Sequence, residues 1–257
     1  MLECRNLSTG YSGHPVSEKI NLTVRPGELL TLIGPNGCGK TTLLKTMAGL
    51  LPPLGGEVLL AGQPLGELSL RELARRRAYL PQYREVPELA VEMLVRHGRF
   101  PHQGFSRRMS REDSECVDRA MALAGVTELR SESLTRLSGG QRQQVYLAMT
   151  IAQNAPLFFW DELITYLDVK NRLLMLELAQ ELRSAGKTLV MILHELDDAL
   201  RCSDRVCLLD ENGCVRCLDT PEAVLRSGEI DRVFGVFTQH LVAPDGTDAY
   251  LFSKKIP

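Results

Sequence analysis

The chain has 257 residues, 44% of them hydrophobic and 24% charged, which excludes collagen-like, disordered and small disulfide-stapled classes. That length holds one large domain, or a main domain with a subdomain. The net charge is −2, from 30 Lys and Arg against 32 Asp and Glu, so no bulk basic field points to nucleic acid.

The predicted elements alternate along the chain. Glu3 and Arg5 stand where a signal peptide needs an apolar run. Leu29–Ile33 reads as a short buried strand, and a helical pattern runs from Thr41 to Leu50. Between them, Gly34-Pro35-Asn36-Gly37-Cys38-Gly39-Lys40-Thr41 fits G-x-x-x-x-G-K-[ST] in the strand-to-helix context the motif requires. A triphosphate packs several negative charges into a small volume. Glycines let successive N–H groups turn inward, the helix adds a positive dipole end, Lys40 adds a full charge, and the Thr41 hydroxyl suits Mg²⁺. Cys38, at a variable position of the loop, is expected to make nucleotide binding sensitive to thiol modification. The run Arg75-Arg76-Arg77 reads as a solvated helix face.

From about Glu85 to Arg136 the pattern is helices and loops without a convincing strand, which suggests a helical insert of roughly 50 residues. Within it Ser110 and Asp113 form a capping-box pattern, and Gly125 is placed as a C-terminal cap. Ser138-Gly139-Gly140-Gln141 precedes a helix that is polar and then apolar, a second N-terminal anion site. The greasiest stretch, Val145–Trp160, is broken by Thr150, Gln153, Asn154 and Pro156. A membrane helix needs ~20 mostly apolar residues, so the chain is expected not to enter a bilayer by itself.

Leu157-Phe-Phe-Trp160 reads as a buried strand ending in two acids. Asp161 is placed to hold a Mg²⁺ shell and Glu162 to polarise an attacking water. Leu189–Leu193 is a third buried strand, followed at once by His194, at the strand end where α/β sites lie. Short continuous apolar runs alternating with helices indicate a parallel sheet covered on both faces. Arg205–Leu209 is a further strand, and Glu211-Asn-Gly213 a turn. Cys214 and Cys217 read as part of a strand and not as a metal site, and the seven cysteines as reduced cytosolic thiols. Thr220-Pro221 reads as an N-cap followed by proline at the first helical position.

The order Lys40, Leu137-Ser138-Gly139-Gly140-Gln141, Asp161-Glu162, His194 resembles the ATP-binding cassette of ABC transporters over nearly the whole chain. The resemblance implies one α/β P-loop NTPase domain over residues 1–257. It would have a mostly parallel sheet, an N-terminal antiparallel β subdomain and a helical subdomain at about 85–155. Gly34 to Thr42 would form the Walker A loop, and Tyr11 would stack on adenine. Gln82 would reach Mg²⁺ and sense the γ-phosphate. Ser138–Gln141 would be the signature contacting ATP held by the opposite subunit. Asp161 and Glu162 would be the Walker B aspartate and the catalytic glutamate, Asp168 the D-loop aspartate and His194 the switch histidine. Thr41, Gln82 and Asp161 would form the metal shell, and residues around Glu85–Pro101 would dock a permease.

Val95–His102, Thr165–Asp168, Leu193–Asp197, Cys202–Val206 and Val233–Val236 are similar to cassettes of iron–siderophore, haem and cobalamin importers. The implied partners are a second copy of the chain, integral membrane permease subunits and, indirectly, an extracytoplasmic binding protein, with no nucleic acid. The implied place is the cytoplasmic face of the cell membrane. A soluble ATPase of iron–sulfur assembly and a regulatory subunit of low turnover remain as alternatives. One departure stands out: Leu163-Ile164 follow Glu162 where the family usually has proline and then Thr or Ser. Leucine relaxes the restriction that proline places on the preceding residue.

Overall fold

The elements follow from runs that can satisfy their backbone only by pairing or coiling. In the computed structural model, residues 1–82, 86–104, 108–162, 169–242, 244, 246 and 248–254 are described. In chain order they are β1 (Leu2–Tyr11), β2 (His14–Val24), β3 (Leu29–Ile33), α1 (Lys40–Met47), β4 (Gly55–Leu60), β5 (Gln63–Pro64), α2 (Leu70–Arg76), β6 (Arg77–Leu80), α3 (Val91–His97), α4 (Arg111–Leu123), α5 (Gly139–Ala152), β7 (Leu157–Trp160), α6 (Val169–Ser184), β8 (Thr188–Ile192), α7 (Leu196–Cys202), β9 (Arg205–Leu209), β10 (Val215–Asp219), α8 (Pro221–Arg226), α9 (Glu229–Phe234), β11 (Val236–Val242) and β12 (Asp248–Lys254). They fall into two compact units, Met1–Glu67 with Leu182–Pro257, and Leu68–Glu181.

The first unit holds an antiparallel sheet in the order β2-β1-β4-β5. Alternation along β1 and β2, reset in β1 by a register shift between Cys4 and Leu7, buries Leu2, Cys4, Leu7, Ile20, Leu22 and Val24. The same unit carries β3 between β8 and β9, parallel to both, with β10 antiparallel on β9. All five residues of β3 and all five of β8 are buried, as expected for parallel strands covered on both faces. Each large aliphatic side chain so buried is worth about 1.5–3 kcal/mol. Leu43, Leu44 and Met47 of α1 are also fully buried. That helix begins one residue before the expected start and stops at Met47, because Gly49 takes a left-handed φ of 70°.

The second unit pairs β6 with β7 in parallel, Leu80 beside Trp160. Its helices α3, α4 and α5 pack through Val91, Val95, Val117, Met121, Val145 and Ala148, all buried. The capping box of Ser110 and Asp113 is present. Arg99 forms a buried ion pair with Asp113 at 2.8 Å and donates to the Ala152 carbonyl at 2.9 Å. This tie joins the end of α3 to both of its neighbours.

The three arginines do not form a uniform solvated face. Arg75 is exposed and donates to the Pro101 carbonyl at 2.8 Å, while Arg77 is half-buried as the first residue of β6. Cys214 lies in the turn before β10, exposed, and Cys217 lies within the strand. Among the described residues no three His, Cys, Asp or Glu side chains are grouped to hold a metal ion. No helix among them is long and apolar enough to cross a membrane.

Candidate active site

Strand β3 delivers the phosphate loop. Because its five residues are fixed in the core, the chain leaves the sheet at Gly34 in one register. Gly34 and Gly39 have φ of 155° and 97°. A Cβ on Gly34 would press on the Leu209 carbonyl oxygen, and one on Gly39 would overlap Val16 Cγ1. Only glycine permits so tight a curl, and the curl turns backbone N–H groups inward as an anion requires. Helix α1 opens from Gly39 with no side-chain cap and no acidic residue in its first turn. Its positive end therefore suits an external anion.

Lys40 is 4% exposed, and its Nζ donates to the Gly34 and Pro35 carbonyls, each at 2.8 Å. The ammonium has three donors. Two of them tie it across the loop and hold the charge at the loop's centre. Cys38 is buried, and burial pushes its thiol up although Lys40 pulls the other way. A protonated, inward-facing thiol is a poor target for modification. The thiol sensitivity expected from the sequence therefore has no support in the geometry.

Tyr11 ends β1, 47% exposed, and its phenol oxygen accepts a bond from the Thr42 hydroxyl at 3.5 Å. Thr41 is half-buried in the first turn of α1. Leu32 pairs with Ile192 across parallel β3 and β8. Gly34 and His194, each two residues further on, therefore leave the sheet at one level, with His194 exposed. Pro35, Asn36 and Gly37 complete the phosphate loop between Gly34 and Cys38.

The second unit carries the acids. The Asp161 N–H donates to the Leu80 carbonyl at 3.0 Å, which fixes the end of β7 against β6. Asp161 is 1% exposed, and its Oδ2 accepts the Tyr79 hydroxyl at 2.6 Å. Charge-assisted bonds of this kind are the strong ones. Glu162 has a left-handed φ of 52°, uncommon for a residue with a Cβ. Its Oε2 accepts from Gln82 Nε2 at 2.5 Å. Gln82, Asp161 and Glu162 thus converge at the ends of adjacent strands.

Ser138 caps α5: its Oγ accepts the Gln141 N–H at 3.3 Å, and Gln141 Oε1 accepts the Ser138 N–H at 3.0 Å. Ser138 and Gly139 are exposed, and Gly140 faces Asn171, whose Nδ2 lies 3.0 Å from where a Cβ would stand. Leu163, Ile164 and Thr165–Asp168 lie outside the described residues, as does Glu85. Sequence reasoning assigned no role to Tyr79 or to Val16. The alternation of β6, which ends in Tyr79-Leu80, was the available signal for the tyrosine.

Each of the two units offers hard oxygen donors. Thr41 offers a hydroxyl, Asp161 a carboxylate and Gln82 an amide oxygen, because Gln82 Nε2 is the atom that meets Glu162. Hard oxygen ligands of this kind match Mg²⁺.

A family model described as ABC transporter matches residues 17–165. The probable siderophore transport system ATP-binding protein YusV of Bacillus subtilis is 37% identical over 240 residues, 93% of this chain and 87% of that protein. The ferric enterobactin transport ATP-binding protein FepC of Escherichia coli is 37% identical, covering 91% of this chain and 87% of its own. The hemin import ATP-binding protein HmuV of Streptomyces coelicolor is 40% identical, with 89% and 81% covered. Among solved structures, an inward-facing metal-chelate type ABC transporter shares the fold at a TM-score of 0.84 and 24% identity, covering 99% of this chain and 98% of that one. A dimeric ATP-binding cassette in a post-hydrolysis state with ADP and Pi matches at a TM-score of 0.75 and 26% identity, over 86% and 99%.

Proposed function

This chain belongs to the ABC transporter family as an ATP-binding, ATP-hydrolysing subunit, and on that premise we propose that it powers import of iron chelates of the siderophore or haem type. Several relatives carry siderophore, enterobactin or hemin import in their names. The observation that carries the ATPase reading is the curled loop with Lys40 fixed across it at the bare N-terminus of α1. Thr41, Gln82 and Asp161 would hold Mg²⁺, which when bound neutralises charge on the β- and γ-phosphates.

The chain's own residues then divide the work. Lys40 and the N–H groups from Gly37 to Thr42 hold phosphate oxygens, and Tyr11 stacks on the base. Glu162 accepts a proton from the attacking water, and His194 donates a hydrogen bond toward the γ-phosphate. Gln82 and Glu162 hold one another at 2.5 Å. The carboxylate must leave the Gln82 amide nitrogen to reach water, while the amide oxygen stays on the side open to the metal.

Ser138, Gly139, Gly140 and Gln141 complete the site of a second copy, and Asp168 contacts that copy. Because the Ser138 and Gln141 side chains already cap their own helix, the amides of exposed Gly139 and half-buried Gly140 remain to meet phosphate oxygens. Two copies would close around two ATP molecules, and closure would pull on permease subunits docked near Glu85–Pro101. The working place is the cytoplasmic face of the membrane, reached through that permease, with an extracytoplasmic binding protein presenting the chelate. Affinity purification of the tagged chain from native membranes tests the reading. Recovery of a polytopic permease is expected, and recovery of soluble scaffold proteins alone would contradict it.

A further inference from the structure

The turn between β9 and β10 packs on the phosphate loop. Asp210 builds this turn: its Oδ1 accepts the N–H groups of Asn212 at 3.0 Å and Cys214 at 2.9 Å, and its carbonyl accepts the Gly213 N–H at 3.0 Å. Gly213 sits at the tip of this arrangement with φ of 72°. A Cβ on Gly213 would lie 3.0 Å or less from Ser17 Oγ, the Val16 carbonyl oxygen and the Cys38 carbonyl oxygen. Ser17 is 1% exposed, and its Oγ has no hydrogen-bond partner. The side chain is therefore held there by packing, with little room to retreat. Val16 in turn lies against Gly39, where a Cβ would overlap its Cγ1. Three segments distant in sequence thus meet at the hinge of the phosphate loop.

The atom of Cys38 nearest to Gly213 is its carbonyl oxygen. The peptide unit is planar and trans, so the N–H of Gly39 points the opposite way from that oxygen. We propose that Gly213 is a positioning residue for nucleotide binding: by admitting the Cys38 carbonyl it orients the Cys38–Gly39 peptide so that the Gly39 N–H faces the phosphates. A side chain at 213 would strike Ser17 Oγ and the Val16 carbonyl and crowd the Cys38 carbonyl at 3.0 Å; relief of that crowding turns the Gly39 N–H out of the cradle. The inference rests on the reading of Gly34–Thr42 as the nucleotide loop, and it adds a residue that does not touch nucleotide.

The test is ADP binding by titration calorimetry and steady-state ATPase on the full chain, for the parent, Gly213→Ala and Gly186→Ala. Gly186 has a φ of 81° with nothing within 4 Å of its Cβ position, so it reproduces the backbone strain without the collision. Expected is a five- to fiftyfold weaker Kd and higher KM for Gly213→Ala, with kcat at saturating ATP within threefold of the parent. Gly186→Ala keeps the parent's Kd and KM. If Gly213→Ala does not fold, Asp210→Ala loosens the same turn and is expected to weaken Kd two- to tenfold. A Kd for either turn variant within 1.5-fold of the parent overturns the inference. A parent that binds no ADP overturns the loop reading instead, so the two failures are distinct.

Discussion

Replacing Leu163 by proline tests how the backbone at Glu162 governs the catalytic carboxylate. Glu162 has φ of 52°, and a left-handed residue with a Cβ costs about 1–2 kcal/mol. Proline at the next position drives its predecessor into the extended region, near φ of about −120°. The chain would then swing the carboxylate away from Gln82, losing a 2.5 Å charge-assisted bond. Such bonds contribute about 1.5–3 kcal/mol, so relief of strain offsets most of the loss. Net stability should change by no more than about 2 kcal/mol, a Tm shift of no more than about 8 °C for a chain of this size. Turnover behaves differently, because the parent must break the Gln82–Glu162 contact before the carboxylate meets water. Freeing it in advance is expected to leave kcat equal to the parent or up to about tenfold higher, since 1.36 kcal/mol corresponds to a factor of ten. The assay is phosphate release at saturating Mg–ATP, with Glu162→Gln as background and circular dichroism as the control for folding. A large fall in kcat with an intact fold would refute the reasoning.

Other predictions concern separate parts of the structure. Arg99→Met strands Asp113 as a buried charge and should cost about 3–5 kcal/mol in urea unfolding. Burial raises the Asp113 carboxyl, but the Ser110 N–H and Arg99 outweigh it and hold it below the ordinary value. A carboxyl lowered on folding stabilises fully above its unfolded pKa of about 3.9, and loses that contribution as pH falls through the folded value. Without Arg99 the buried carboxyl is raised instead, so the deficit of Arg99→Met relative to the parent should be largest at neutral and higher pH and shrink as pH falls and Asp113 takes up a proton. An unchanged deficit at low pH would remove Asp113 as its cause. Tyr79→Phe removes a 2.6 Å donor from nearly inaccessible Asp161 and should cost about 1.5–3 kcal/mol; a loss under about 0.5 kcal/mol in the same assay would count against that bond. Alkylation under native conditions should label exposed Cys214 before buried Cys38 and leave ATP binding intact, as peptide mapping with a binding assay will show.

The legible parts of the sequence were those where local chemistry and the fold agree. Leu29–Ile33 and Arg205–Leu209 are strands to the residue, because continuous apolar runs of that length have one stable disposition. Thr220-Pro221 and Ser110 with Asp113 cap helices as their patterns demand. Strand β6 was not legible: Arg77-Ala-Tyr-Leu80 follows a basic helix end, and it becomes a strand by pairing with β7. The hairpin of β11 and β12 was missed because its residues are mostly exposed and lack a strong alternating pattern. At the site, glycine and lysine spacing announced the loop, since phosphate binding constrains residue type. The left-handed backbone of Glu162, its contact with Gln82 and the packing of Gly213 on Cys38 depend on tertiary neighbours that no local pattern encodes.

The central claim is that one chain supplies only half of each of two ATP sites. Light scattering of the Glu162→Gln variant, with and without saturating Mg–ATP, tests it most directly. The account predicts a monomer without nucleotide and a stable species of twice the chain mass with it; a variant that binds Mg–ATP and remains monomeric would contradict the account.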